Sequence, residues 1–414
     1  MQQEKAAKQN LIIMWFANFF IGGSMTMVIP FLSLYIETMG HHSAQYVQQW
    51  SGWVFGVTFV TAFIASPIWG RFGDRHGRKK ILIIAAFGLA VCVFLMGFVT
   101  SVLQLFILRL LMGIFTGFIS MSQALISTQT PRHMAGRVLG TLQTGNVAGS
   151  LLGPMLAGML ADAVGFRTTF HLTAITLLIA ALFVLFGIKE FRLEEAKKEA
   201  NKTYSSKEVL RHVLLNPMLM MVMVVALFVQ VANFSIQPIL ALYVGQLHGP
   251  TNIAFFSGLA FSSAGLGNLF MARNWGKLGD RIGYEKILVV LVILAGVIYL
   301  PGAFVTSIWQ LVVIRLFLGV ALGGVVPVLV AYIRQVTPLA IQGEVMGYNT
   351  SVRFLGNIAG PALGGYISAQ SSISDVFFST SFLLIFSGVV LFIAVYRMSK
   401  NKHHTKSAKL HPKH

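Results

Sequence analysis

The chain has 414 residues, 56% of them hydrophobic and only 11% charged, yet its formal net charge is +18 and its mean hydropathy +0.74. A soluble domain carries about a quarter charged residues, so this composition excludes an ordinary soluble globular protein. The apolar residues come in blocks of about 20, the length that crosses a ~30 Å hydrocarbon layer as helix.

In a soluble chain the basic excess would suggest nucleic acid, but here its distribution decides. Of 31 Lys and Arg, three (Arg109, Arg315, Arg353) fall inside predicted spans and Arg167 lies at an outer loop. The others sit in the N-terminal segment, alternate loops and the C-terminal tail, which is the positive-inside pattern of a membrane protein, and no nucleic-acid partner is expected. Cys92 stands alone in an apolar run, so there is no disulfide framework. Met1 to Asn10 is polar, and the apolar run after it lacks a cleavage site, which reads as a retained first helix.

In chain order the predicted spans are 11–37, 50–69, 81–99, 103–127, 137–161 and 168–188, then 216–245, 254–273, 287–305, 308–333, 345–369 and 376–397. An even count puts both termini on one side, and the Lys/Arg bias makes that side cytoplasmic. Residues 1–188 and 216–398 are each read as a six-helix bundle. Residues 189–215 mix Glu with Lys and Arg and read as a cytoplasmic linker, partly an amphipathic surface helix. The basic tail, 399–414, reads as lacking order, and its histidines lack the spacing of a metal site.

Between the second and third spans, Gly70-Arg71-Phe72-Gly73-Asp74-Arg75-His76-Gly77-Arg78-Lys79-Lys80 reads as a tight, charged hairpin. The pattern returns 206 positions later as Gly276-Lys277-Leu278-Gly279-Asp280-Arg281-Ile282-Gly283. Ser51-Gly52 matches Ser257-Gly258, and Arg109-x₃-Gly113 matches Arg315-x₃-Gly319, at the same offset; Gly153-Pro154 matches Gly360-Pro361 at 207, and Pro30-x₄-Tyr35 matches Pro238-x₄-Tyr243 at 208. The chain is therefore a duplicated six-helix unit, an organisation that places a substrate site near the midplane between the halves.

With those motifs in hand, the chain resembles the major facilitator superfamily. The fifth-span series Gly145-x₃-Gly149-x₃-Gly153-Pro154-x₃-Gly158 resembles the signature of its drug:proton antiporters. The stretches MVIPFLSLYIETMG, ASPIWGRFGDRHGRKK and LGNIAGPALGG are similar to MdtG/PmrA-type bacterial multidrug exporters. The resemblance covers nearly everything but the linker and tail. It implies an all-α fold of twelve helices in two pseudo-symmetric bundles, and export of amphiphilic drugs by proton antiport with alternating access. It implies a multi-pass protein of the bacterial cell membrane, acting as a monomer on small-molecule drugs, with no cofactor beyond the proton gradient. A narrow-specificity porter of a metabolite or lipid precursor on the same fold is the alternative. An enzyme is not expected, since neither HExxH nor paired mid-span acids occur.

The resemblance also assigns roles. Gly70, Asp74, Arg75, Gly77, Arg78, Gly276, Asp280 and Arg281 form a conformational latch, with Asp74 docking near Gly343 and Asp280 on the fifth span. Glycines at 145, 149, 153 and 158 give a face on which another backbone approaches closely, while Pro154 bends the helix. Spans 1, 4, 7 and 10 should line the cavity, with Asn18, Met25, Met27, Met121, Gln123, Phe228, Gln230, Asn233, Phe234, Gln237 and Tyr332 as candidates, joined by Arg315 and Arg353. No predicted span has an acid in its middle. Glu37, ending the first span, is then the best group to couple protons, with Arg109 as partner and His171 as the weaker choice. Three arginines without a mid-span acid lead to the expectation that zwitterionic or anionic amphiphiles are handled better than quaternary cations.

Overall fold

A computed structural model describes residues 2–131, 134–191, 206–338 and 341–410; within these ranges some surroundings, among them those of Arg71, Asp74, Arg75, Gly343 and 401–410, lie outside the description. All regular structure among the described residues is helical. Eleven helices among the described residues are long and apolar enough to cross a membrane. The eleventh expected span is a 29-residue helix, Gln342–Gln370, that falls short of that apolarity because it carries Asn349, Arg353, Asn357 and a run of small residues. It tolerates this polarity because one face of it packs against the second and seventh spans.

The first span is Gln2–Met27, a 3₁₀ turn at Ile29–Phe31 and a short helix Leu32–Glu37; the seventh repeats this as Pro217–Ser235, Gln237–Ile239 and Leu240–His248. Pro30 and Pro238 lie in the breaks, where the missing proline N–H cannot continue the ladder. Just beyond each break, the Tyr35 hydroxyl donates to the Met96 carbonyl (2.7 Å) and the Tyr243 hydroxyl to the Gly302 carbonyl (2.8 Å). The Trp69 indole donates to the Ile114 carbonyl and Trp275 to the Val320 carbonyl (2.6 and 2.8 Å). Ser101 and Ser307 cap the fourth and tenth spans identically. The duplicated sequence therefore folds into duplicated hydrogen bonds.

The charged motifs are not open loops. The second span runs Ala44–His76 and the third begins at Arg78, so the corner is Gly77 alone, at φ +98°; Ile253–Ile282 and Tyr284–Tyr299 turn the same way at Gly283, φ +106°. Charged residues continue the helix once it has passed the apolar layer, and only glycine takes such a φ without strain. The expected disorder of the tail is also corrected. The last helix, Ile373–Leu410, runs on into it as far as the described residues extend. The middle of the linker, 192–205, lies outside the described residues. Its end is the amphipathic helix Ser206–Leu215, whose Val209 and Val213 are buried.

Two apolar cores form, one from the first six spans joined at its edge by Ala241 and Ala254, and one from the last six. They meet along two seams related by the repeat. A Cβ on Gly258 would collide with the Pro154 carbonyl, and one on Gly52 with the Pro361 carbonyl; Gly158 abuts Ala254 and Gly365 abuts Gln48 in the same manner. Towards the ends that carry the charged corners, Gly70, Gly140, Gly276 and Gly347, on the second, fifth, eighth and eleventh helices, face open space. The halves are therefore sealed away from the charged corners and parted next to them.

Candidate functional site

The antiporter-type glycines serve two surfaces. Gly145, Gly149 and Gly153 bring the fifth span onto the first, against the carbonyls of Trp15, Phe19 and Gly23. Pro154 and Gly158 turn to the eighth span and form the seam between halves. The eleventh helix repeats the arrangement, with Gly356, Gly360 and Gly364 on Leu227, Val231 and Ser235 of the seventh.

At the level of Pro154 and Pro361 the two halves touch through rings. Phe234 of the seventh span lies 6.0 Å from Phe55 and 5.3 Å from Phe59 of the second, and Phe59 lies 6.4 Å from Phe354 of the eleventh. Gln230, one turn from Phe234, donates to the Asn357 Oδ1 (3.0 Å). Gln237 is 5% exposed with its Oε1 unpartnered, while Phe228 and Asn233 are half-buried. In the first half, Asn18 bonds Ser122 (2.8 Å) and Gln123 donates to Gln143 (2.7 Å), tying spans 1, 4 and 5. Met25 and Met27 pack against the N-terminal core, and Met121 is buried against Gly73 at the end of the second span. Tyr332 is buried in the C-terminal core.

The three arginines separate into two kinds. Arg109 is 4% exposed, its guanidinium 5.7 Å from the Phe55 ring centre and 3.8 Å from the Met112 sulfur. Arg315 is 2% exposed, 6.0 Å from the Phe261 ring centre, and donates to the Ala260 carbonyl (3.3 Å). Phe55 and Phe261 occupy equivalent places, so each half encloses its own arginine under a ring, a favourable arrangement for a cation in apolar surroundings. Arg353 has no such lid. It is half-buried on the helix between the halves, its Nε buried without a partner, and no described residue bonds or pairs with it.

Glu37 is exposed at the end of its helix and makes no hydrogen bond or ion pair with a described residue, Arg109 included. His171 is wedged between the rings of Phe94 and Phe98, 5.1 and 4.7 Å away, on the outward face of the third span. Of the latch residues, Asp280 is exposed and accepts from the Tyr284 hydroxyl one turn on, rather than from the fifth span, and Arg281 is exposed. The Asp74 and Arg75 side chains lie outside those described. Arg78 offers its main-chain N–H to the Glu190 carboxylate (2.8 Å), Lys79 does likewise (3.1 Å), and the Arg78 side chain reaches the Ala124 carbonyl. Glu190 thus supplies acceptors for the bare N–H groups that open the third span.

Sequence reasoning missed that cap and the buried node beside it. Asn10, fully buried, donates to Gln129 (2.9 Å) and to the Lys189 carbonyl (2.6 Å), and accepts from the Lys189 N–H (3.0 Å). It missed the Phe55–Phe59–Phe354 ring contacts as well. An amide near the end of each apolar run was the available signal for the first, but nothing local marked the second.

Two repeated helical halves, sealed at one end and parted at the other around an apolar, amide-bearing midplane, make the architecture of a membrane carrier. Comparison with known proteins agrees: residues 14–306 and 254–414 match the Major Facilitator Superfamily. The chain is 52% identical over 391 residues, 94% of its length and 99% of the relative's, to the uncharacterized MFS-type transporter YuxJ of Bacillus subtilis (strain 168). It is 44% identical over 391 residues, 94% of each chain, to the multidrug resistance protein MdtG of Salmonella typhi. Among solved structures it is similar to a bacterial homolog of the human lysosomal transporter Spinster in an inward-facing, occupied conformation. There the TM-score is 0.77 at 13% identity, covering 93% of this chain and 96% of the other. It is also similar to the nucleoside transporter NupG, with TM-score 0.75 at 14% identity, covering 94% and 99%. The protein belongs to the major facilitator superfamily and is a multi-pass membrane transporter.

Proposed function

We propose that this transporter exports hydrophobic and amphiphilic small molecules, drugs among them, from a bacterial cell in exchange for protons, with its termini and charged corners in the cytoplasm. The observation that carries the reading is the ring contact between the halves, Phe234 with Phe55 and Phe59 and then Phe354, beside the Gln230–Asn357 pair. Broad apolar contact with a few amide groups binds amphiphiles of varied shape, whereas a narrow porter needs a dense, fully matched polar site. The 43–44% identity to proteins named for multidrug resistance supports the same substrate class.

The glycine seams support alternating access. They let the halves close on one side while the charged corners stand apart, and rocking about the midplane would exchange the two conditions. Proton coupling falls to Glu37, an exposed carboxylate at the far end of the first span that could lose water and its charge when the outer seam rearranges. The test is uptake of a lipophilic dye into everted vesicles with an imposed proton gradient. A gradient-dependent signal, abolished by a protonophore and by Glu37→Gln, is expected. Uptake that ignores the gradient would remove antiport, and full coupling in Glu37→Gln would move the proton site elsewhere.

A further inference from the structure

The two halves differ at one point in the helices that form the seams. The fifth and eleventh spans superpose by the repeat at an offset of 207: Gly149 on Gly356, Gly153 on Gly360, Pro154 on Pro361, Gly158 on Gly365. At that offset Leu142, Asn146 and Ser150 of the fifth correspond to Asn349, Arg353 and Asn357 of the eleventh. Asn146 is a neutral amide packed beside Gly22 of the first span, whereas its counterpart is a cation. The duplicated scaffold thus carries a charge that its own symmetry does not require.

We infer that Arg353, with the Asn357 amide one turn away, is an anion-binding subsite in the substrate cavity, taking the carboxylate or phosphonate of an amphiphilic substrate. This rests on the export reading above. Arg109 and Arg315 are excluded from that task, since each is enclosed under a ring in its own half. No described residue pairs with Arg353: the seventh and tenth spans contain no Asp or Glu, the one acid of the second, Asp74, stands at its far end beside the charged corner, and on its own helix the nearest acid, Glu344, is nine residues away and bonded to Tyr348. The oxygen of Asn357 is taken by Gln230, which leaves its NH₂ as a donor beside the guanidinium. Access comes from the parted side, where Gly347 and Thr350 of the same helix are exposed. The next residue, Phe354, belongs to the ring contact between halves, so an anionic head on Arg353 would leave an apolar tail among Phe59 and Phe234. A guanidinium held in a dry wall without a counter-ion is costly unless something brings one, and a carboxylate or phosphonate does so with paired hydrogen bonds.

The experiment uses the full chain in phosphatidylcholine vesicles, which contain no anionic lipid, and two probes of equal bulk: N-dansyl-leucine and its methyl ester. Binding is read from dansyl fluorescence and transport from gradient-driven uptake. Wild type should bind the acid at least about tenfold more tightly than the ester, the range of a charge-assisted hydrogen bond. Arg353→Gln should bring the acid-to-ester ratio to about one, and Arg353→Lys should restore part of the preference while losing the paired geometry. Because the readout is a ratio within one preparation, loss of folded protein does not imitate it. Equal binding of both probes by wild type, or a preference that survives Arg353→Gln, overturns the anion subsite and leaves export standing. Failure of wild type to move either probe, or any lipophilic dye, strikes the export reading itself.

Discussion

The N-terminal and C-terminal halves share a frame and differ in what they attach to it. Tyrosine, tryptophan, serine caps and ring-covered arginines recur with nearly equal geometry. The third span, by contrast, is capped by Glu190, while its counterpart starts at Tyr284, whose hydroxyl turns back to Asp280. Asn10 and Asn216 sit 206 apart, yet Asn10 is a buried tie to Gln129 and Lys189 whereas Asn216 caps the seventh span by accepting from Leu219. What is symmetric holds each bundle together; what is asymmetric anchors the linker to one half and puts charge in the wall of the other. The seams, though symmetric across halves, are asymmetric along their length, packed at one end and open at the other.

The largest effect should come from breaking that lengthwise asymmetry. Gly258→Leu forces a side chain into the Pro154 carbonyl, where backbone faces backbone and neither can yield. Folded yield and transport should both fall at least about tenfold, the cost of overpacking a close helix crossing. Gly276→Leu, on the same helix but in open space, should leave yield and melting unchanged while slowing transport, because the added bulk stands where the parted ends must meet. Size-exclusion profiles and vesicle uptake separate the cases. Equal damage from both would mean that the parted end is a packed surface.

Next come the asymmetric ties. Asn10→Leu removes three hydrogen bonds and strands the Lys189 N–H, so it should cost about 2–3 kcal/mol in a denaturant melt. Asn216→Ala loses one exposed-end cap and should cost about 1 kcal/mol. Equal losses would mean that Asn10 is not the tie its burial implies.

Much of the frame was legible in the sequence because glycine, proline and intramembrane arginine have few permitted settings. The offset between Trp69-Gly70 and Trp275-Gly276 became an equal pair of indole bonds. The Asn10 node was not legible, since its partners lie 119 and 179 residues away. The charged motifs invited a loop reading because charge was equated with leaving the helix, whereas leaving the membrane sufficed. All three arginines read alike as charges inside predicted spans; only tertiary packing shows that Phe55 and Phe261 close over two of them and leave the third.

A smaller effect compares the two covered arginines. Arg109 has a ring and a sulfur for company but an unpartnered Nε, while Arg315 also donates to a carbonyl. Replacing a poorly compensated buried charge by a shape-matched apolar group is neutral or stabilising by about 1–4 kcal/mol. Arg109→Met should therefore raise the melting temperature more than Arg315→Met does. If Arg109 also serves proton coupling, its variant will be the more stable protein and the poorer pump. A drop in melting temperature for both would show that the covering rings compensate the charge fully.

The smallest effect tests the symmetry itself. Tyr35→Phe and Tyr243→Phe each delete one buried hydroxyl that donates to a carbonyl just past a proline break, at nearly the same distance. Both carbonyls belong to the turn that ends a neighbouring span, Met96 in the third and Gly302 in the ninth. Deletion leaves such a carbonyl dry and unpaired, at about 1 kcal/mol each. The sites lie in separate cores, so the double variant should lose the sum of the two within a few tenths of a kcal/mol, as independent sites do. A cooperative loss larger than that sum would mean that the two halves sense each other through the sealed end, and that the seams, more than the separate cores, set the stability of the carrier.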